Sequence, residues 1–436
     1  MKRLLKGGRL VDPANGRDGA FDILIDGDRI AKVGRDLTVE SGTTVVEIPK
    51  GFIVCPGLID IHVHLREPGQ EHKETVATGV AAAVAGGFTA VACMPNTTPV
   101  NDNAGVTEYI LKKAAEANLA RVYPIGAVSR GQKGEQLADI AELKNAGCVA
   151  ITDDGRPVAT ALLMRRALEY ASMFNIPVIE HCEEQSLKGD GVAHEGFQAS
   201  SLGLRGIPGE AESIMALRDI SLSSLTGGAV HIAHMSARQT LAAVRFGKSQ
   251  GARVTCEVTP HHFVLTDEML AQPIAYDTNT KMNPPLRETA DRDAMLAGLA
   301  DGSIDVIATD HAPHAADEKQ VEFDHAPFGI TGLETAVSLC FDRLIHTGVV
   351  TLPRLIELLS VNPAKVINVS GGSLSEGAPA DITILAPDLA VTVVAAKMRS
   401  KSKNTPFDGW QLRGGVAATI VGGRPVYVND ETPLRF

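Results

Sequence analysis

Eight short apolar runs punctuate the middle of the chain: LIDIHVH (58–64), FTAVACM (88–94), RVYPIGAV (121–128), CVAITDD (148–154), PVIEHC (177–182), VHIAHM (230–235), RVTCEVTPHH (253–262) and IDVIATDH (304–311). Most are separated by Ala- and Leu-rich segments whose apolar residues recur at helical spacing, among them TVATGVAAAVAGG, TEYILKKAAEANLA, ALLMRRALEYASMF and ARQTLAAVRFGKSQ. Strands alternating with helices predict parallel βα units, and eight of them predict an α/β fold closed into a (β/α)8 TIM-type barrel. A doubly wound open sheet also alternates, but it is expected to carry a glycine-rich phosphate turn after the first strand, and LIDIHVHLREPG is no such turn. The two ends of the chain have a different texture. FDILIDGDRIAKVG places Asp-Gly between two alternating segments, a strong hairpin signal, and ADITIL, AVTVVA and GGVAATIVGGRPVYV repeat the β-like pattern near the C-terminus. Both ends are therefore expected to build one small β-sandwich domain (1–54 plus 372–436) around a barrel domain (55–371). The segments GLETAVSLCFDRLI and LPRLIELLSV are expected as the last helices, leading back to the sandwich.

Composition narrows the function. With 44% hydrophobic and 21% charged residues the 436-residue chain reads as a globular protein. A net charge of −11 makes nucleic acid a poor partner, because a surface that neutralises phosphates should be basic, and 4% aromatics give little for bases to stack on. No stretch approaches the uncharged apolar length of a membrane span, and the start, MKRLLKGGRLVDP, lacks the apolar run of a signal peptide. The six cysteines are scattered without a C-x-x-C pair, which reads as reduced thiols of a cytoplasmic protein.

The chemistry collects where the apolar runs end. The first carries His62 and His64, two apart and so on one face of a strand. The fourth ends in Asp153 and Asp154, the fifth carries His181, the sixth His234 and the eighth Asp310. In a barrel these groups share the C-terminal mouth, where barrel active sites are built. Four imidazoles with carboxylates form a ligand set suited to zinc or a similar divalent ion. A lone histidine in a strand is usually a satisfied core residue, and the joint pattern outweighs that reading. His231, three before His234, is expected on the other strand face in a structural role, and His72, His194 and His346 are expected in bland loop or helix-end settings. One of His261 and His262 could line the pocket, and His314, in TDHAPH, is a substrate-contact candidate.

The stretches GLIDIHVHLREPGQEHKE, MPNTTPV, ITDDG, IEHCE, MNPPLR and TDHAPH, with SEGAPADITIL and NTPFDGWQLRGGVAATIVGGRPVY, together resemble the dihydroorotase family of the amidohydrolase superfamily, nearly end to end. The resemblance implies zinc-dependent, reversible hydrolysis of (S)-dihydroorotate to N-carbamoyl-L-aspartate in pyrimidine synthesis. It assigns His62, His64 and Asp310 to one metal and His181 and His234 to another. It also places Arg66, Asn96 and His314 on the substrate carboxylate, and Asn283 on the pyrimidine ring. Hydantoinases, allantoinase and one class of dihydroorotases bridge their metals with a carboxylated lysine. The fourth run, CVAITDDG, has no lysine and resembles the class with aspartate there, Asp154 matching the bridge and Asp153 the weaker candidate. Adjacent strand residues face opposite ways, so only one of the two should be a ligand.

A metal lowers the pKa of a bound water to about 7, so the expected nucleophile is a metal-bound hydroxide, with Asp310 as the proton shuttle. One or two zinc ions per chain are compatible with six ligands. The resemblance also implies a homodimer and a complex with aspartate transcarbamoylase. Two rival readings are another cyclic amidohydrolase, acting on hydantoins or allantoin, and a non-catalytic scaffold for the transcarbamoylase; the first lacks its bridging lysine here and the second should have lost ligands.

Overall fold

The computed structural model describes residues 2–39 and 41–436. Short parallel strands occupy seven of the eight apolar runs: Leu58–Val63, Phe88–Cys93, Arg121–Pro124, Val178–Glu180, Val230–Ile232, Val254–Val258 and Val306–Ile307. The first three form one parallel sheet and the other four a second. The fourth run is not a strand. It contributes Ile151, which bridges in parallel to Gly126 on one side and to Val178 on the other, and a further parallel bridge joins Val63 to His311.

Period-two alternation separates the two faces of these strands. Ile59, Ile61, Ala90, Ala92, Ile125, Ile179, Ala233, Val306 and Ala308 share one buried cluster. Their neighbours Leu58, Val91, Cys93, Val178 and Ile232 pack with Val258, and with Val63 past an irregularity in the first strand, in a larger cluster with helix residues such as Val80, Ile110, Leu168, Met215, Leu241 and Leu299. The helices begin at side-chain caps where a turn must be closed: Thr75 caps Val76–Ala85, Asn103 caps Ala104–Ala117 and Thr160 caps Ala161–Ser172. All six cysteines are free and buried, and no described helix is long and apolar enough to cross a membrane.

Both chain ends contribute to a six-stranded sheet ordered Arg424–Val428, Gln411–Val421, Ile382–Thr392, Ile53–Pro56, Arg9–Asp12, Arg17–Gly19. A second, four-stranded sheet is made by the N-terminal residues alone, and includes the Asp22–Asp26/Arg29–Gly34 hairpin. The two sheets resemble a sandwich, with Leu5, Ile23 and Ile25 buried against Ile382, Ile384 and Ile420. The chain passes from this layer to the parallel layer at Gly57. Its N–H donates to Asp381 O (2.9 Å) and its carbonyl accepts from Ser360 Oγ (2.7 Å). A Cβ at Gly57 would lie 2.1 Å from Thr89 Oγ1.

Gly57→Ala is therefore expected to lower stability by about 1–3 kcal/mol through overpacking. Thermal unfolding checks this, and an unchanged midpoint would show that the passage has room the structure does not reveal.

Candidate metal centre

The strands deliver their polar residues to one end. His62 and His64 close Leu58–Val63, His181 follows Val178–Glu180, His234 lies two residues beyond Val230–Ile232, and Asp310 three beyond Val306–Ile307. All are at least nine-tenths buried, as is Asp154. Three non-glycine residues here have positive φ: Arg66 at 61°, His234 at 29° and Asp310 at 48°. Such backbone is disfavoured for side-chain-bearing residues and persists only where surrounding contacts over-determine it, which is common at functional sites.

Asp154 sits among the four imidazoles. Its Oδ1 is 3.5 Å from His62 Nε2, 3.6 Å from His181 Nδ1 and 3.8 Å from His234 Nε2, and its Oδ2 is 3.6 Å from His64 Nε2. Asp310 Oδ1 approaches His64 Nε2 at 3.1 Å and His62 Nε2 at 3.6 Å. Two sets of ligand atoms lie within 4.8 Å of one another, His62/His64/Asp310 and His62/Asp154/His234. Asp153, the weaker candidate, is turned the other way and is held by the Ser129 N–H (3.0 Å) and hydroxyl.

Whether these residues fit a cation can be judged from their unsatisfied atoms. His62 Nε2 and His234 Nδ1 are buried without a hydrogen-bond partner, and buried polar atoms are rarely left so. Burial pushes the Asp154 carboxyl up, but the close approach of the His181, His234 and His62 rings more than reverses this and holds it well below the usual range. Asp310 is held low against burial in the same way, by His64 and His62. For His62 burial works downwards, yet the charges of Glu257 and Asp154 carry it well above the usual imidazole value. The field at the centre thus favours positive charge, and a divalent ion would use the lone pairs that these ring protons occupy. The donor set of imidazole nitrogens and carboxylate oxygens fits such an ion.

A second layer orients the first. The proton on His62 Nδ1 is donated to Glu257 Oε1 (2.6 Å), which points Nε2 at the centre; the same oxygen accepts the His234 N–H (3.2 Å). Glu257 Oε2 is 3.1 Å from His231 Nε2, and His231 Nδ1 is 2.8 Å from Thr255 Oγ1. His231 is thus a buried brace for the glutamate. Asp60 accepts the His62 N–H (3.1 Å) and the Thr309 hydroxyl (2.5 Å), tying the first strand to the last. Sequence reasoning passed over Glu257 and Asp60. Each is an acidic residue buried within a strand, a position that demands a buried partner.

A cavity of about 560 Å³ opens on the cluster, lined among others by His64, Arg66, Asn96, Asp154, Asn283, Asp310, His314 and Phe328. Arg66 is buried, with Nε donating to Pro313 O (3.1 Å) and Nη2 3.4 Å from His314 Nε2. Burial lowers the Arg66 guanidinium to about 10. His314 Nε2 donates to Phe328 O (2.7 Å), and burial with the charge of Arg66 pushes this ring down to about 2, so it is neutral. Asn96 is engaged at both ends of its amide, by His64 Nδ1 (2.9 Å) and Asp154 Oδ2 (3.3 Å), so it orients the cluster as well as lining the cavity. Asn283 Nδ2 lies 3.2 Å from His181 Nε2. Lys188 and Arg156, which sequence reasoning did not single out, also line the cavity. Asn404, from the NTPFDGW stretch, accepts the His314 N–H (3.1 Å) and donates to Ala312 O (3.0 Å) and Gly329 O (3.1 Å).

The other histidines separate. His262 is pegged between Thr259 Oγ1 (2.8 Å) and Pro284 O (2.9 Å), whereas His261 Nε2 is buried without a partner. Neither is among the residues lining the cavity. His72 is exposed and His346 donates to Pro387 O. His194 is buried, in contrast to the loop setting expected for it, and accepts from Arg287 Nη1 (3.1 Å).

Known proteins resemble the chain along its whole length. A family model described as Dihydro-orotase-like matches residues 51–240, and one described as Amidohydrolase family matches 225–427. A dihydroorotase of Geobacter metallireducens is 50% identical over 427 residues, covering 98% of this chain and 100% of the relative. That of Anaeromyxobacter dehalogenans is 52% identical, covering 98% of each chain. Among solved structures, L-hydantoinase (dihydropyrimidinase) of Arthrobacter aurescens superposes with a TM-score of 0.86 over 97% of this chain and 95% of its own, at 23% identity. Dihydropyrimidinase of Brevibacillus agri gives 0.85 over 100% and 96%, at 22% identity. At that identity the likeness is one of fold.

If Glu257 orients His62, Glu257→Gln should weaken divalent-ion binding by about 10–100-fold. Zinc titration of the chelated protein checks this; wild-type affinity in the variant would make Glu257 a packing residue only.

Proposed function

The chain belongs to the dihydroorotase family of amidohydrolases, and from that premise we propose that it interconverts (S)-dihydroorotate and N-carbamoyl-L-aspartate, using one or two zinc ions. The observation that carries the proposal is the buried His/Asp cluster at the floor of a cavity that also holds a buried arginine. His62, His64 and Asp310 would hold one ion, His181 and His234 the other, with Asp154 between them. When bound, such an ion supplies a Lewis acid for the amide carbonyl and makes water a nucleophile at neutral pH.

The residues of the chain then have distinct tasks. Arg66 offers a planar fork of donors to the substrate carboxylate, a geometry lysine does not copy. His314, kept neutral, stands beside it. Asn283 presents an amide to the amide-rich ring. In the hydrolytic direction water adds oxygen to the ring carbonyl carbon, the adjacent C–N bond breaks, and the nitrogen gains a proton. Asp310 Oδ1 faces His62 and His64, which leaves Oδ2 to take that proton from water and hand it to the nitrogen; cyclisation runs the steps backwards. Its low pKa keeps Asp310 ionised, as a proton acceptor must be.

The parallel strands and bridges, with the likeness to hydantoinase folds, support reading 55–371 as a closed (β/α)8 barrel and 1–54 plus 372–436 as the β-sandwich domain. A homodimer and docking onto aspartate transcarbamoylase belong to the same reading; Ile214, Leu217 and Leu225, exposed along one helix, are apolar surface that association would cover.

Asp310→Asn should keep the fold and lose at least about 100-fold in kcat. Full metal content with near-normal turnover would remove the proton-transfer role. Arg66→Lys should raise KM for dihydroorotate far more than it alters the melting temperature; the reverse pattern would make Arg66 a structural ion. Hydantoin and allantoin, offered as controls, should be poor substrates, and preferential turnover of either would overturn the substrate assignment.

A further inference from the structure

Two lysines outside the cavity hold its rim. Lys281 and Lys319 are only 2% and 7% exposed, and each ammonium is hydrogen-bonded to backbone carbonyls. Lys281 Nζ donates to Phe323 O (2.7 Å) and Asp324 O (3.0 Å), and lies 4.6 Å from the centre of the Phe328 ring. Lys319 Nζ donates to Pro327 O (2.8 Å) and Thr278 O (3.0 Å), and reaches Lys281 O at 3.5 Å. The same strip is joined by the Gly329 N–H to Lys281 O (2.9 Å) and the Thr278 hydroxyl to Lys319 O (2.6 Å).

The two segments joined in this way both reach the cavity. One, 278–283, ends at Asn283. The other, 319–329, ends at Pro327, Phe328 and Gly329, which line it. Residues 320–329 form neither helix nor strand, so their carbonyls have no ladder to satisfy them and need donors from elsewhere. An ammonium carries three donors and can hold carbonyls from different segments at once. Burying a cation among carbonyls is expensive, and burial with the nearby charge of Lys281 draws Lys319 down to about 7. An apolar side chain would fill the same volume without that cost, but it could not gather the carbonyls.

We propose that Lys281 and Lys319 are positioning residues: their ammonium groups cross-brace segments 278–283 and 319–329, so that Asn283 and the Phe328–Gly329 wall stand in their substrate-binding arrangement before substrate arrives. The proposal rests on reading this cavity as the dihydroorotate site. It predicts a loss of binding, with the reacting groups untouched.

The test compares zinc-loaded wild type with Lys281→Met and Lys319→Met, and with Lys281→Arg and Lys319→Arg, which retain donors and charge. Two readouts are needed: steady-state kinetics with dihydroorotate, and hydrogen exchange of residues 276–284 and 313–329. The methionine variants should raise KM on the order of tenfold with kcat little changed. They should exchange faster in those two segments alone, and the arginine variants should recover part of both effects. Wild-type exchange in both segments would overturn the brace, and faster exchange with unchanged KM would overturn its positioning role. A kcat that falls in step with kcat/KM would also overturn it, because the lysines would then act on the chemistry. Wild type without dihydroorotate turnover would instead sink the substrate assignment, and exchange would still decide whether the brace exists.

Discussion

Two carboxylates and four imidazoles buried within a few ångströms of one another set the terms for the rest of the molecule. Asp154 is 5% exposed and lies within 3.8 Å of a ring nitrogen from each of His62, His64, His181 and His234. Such a cluster is tolerable only if its charges balance, and a divalent cation shared among these atoms balances them with the donor chemistry already in place. Holding the groups there requires strand ends that converge, backbone strained to positive φ at His234 and Asp310, and a buried glutamate that fixes the ring of His62. Glu257 in turn needs His231, and His231 needs Thr255, so the demand for satisfaction runs from the centre into the core.

Much of this was legible in the chain. The alternation of apolar runs with helical segments marked the parallel strands, because a two-residue period and a 3.6-residue period leave different spacings of apolar residues. His62 and His64 stood out because two histidines at strand spacing share a face. His181, His234 and Asp310 followed from their places at the ends of later runs. Alternation allowed only one of Asp153 and Asp154 as a ligand, the family resemblance singled out Asp154, and the structure turns the two in opposite directions. The fourth run was legible as an apolar segment but not as the pair of bridges at Ile151 that it forms, since that depends on what its neighbours offer.

What was hidden is mostly what acts at a distance in sequence. Asn404 sits 90 residues from His314 and still fixes its backbone; no local pattern marks it. Lys281 and Lys319 look like solvated loop lysines until the fold closes carbonyls around them. Glu257 carried a faint signal, an acid among apolar strand residues, but its partner His62 lies 195 residues earlier. The loop or helix-end setting expected for His194 missed its burial for the same reason: its hydrogen-bond partner, Arg287, is on a remote segment. Periodicity reveals which face of an element is buried, whereas the identity of a buried polar residue's partner is a property of the closed fold.

The central claim is that this buried cluster binds a metal with which the chain opens and closes the dihydroorotate ring. The most direct measurement is to strip the protein with a chelator, restore zinc in known equivalents, and follow dihydroorotate turnover against zinc bound. Turnover absent from the stripped protein, returning in proportion to zinc and saturating at one or two ions per chain, is the expected result. Full turnover by protein shown to be free of metal, or none by protein shown to be saturated with zinc, would contradict the account.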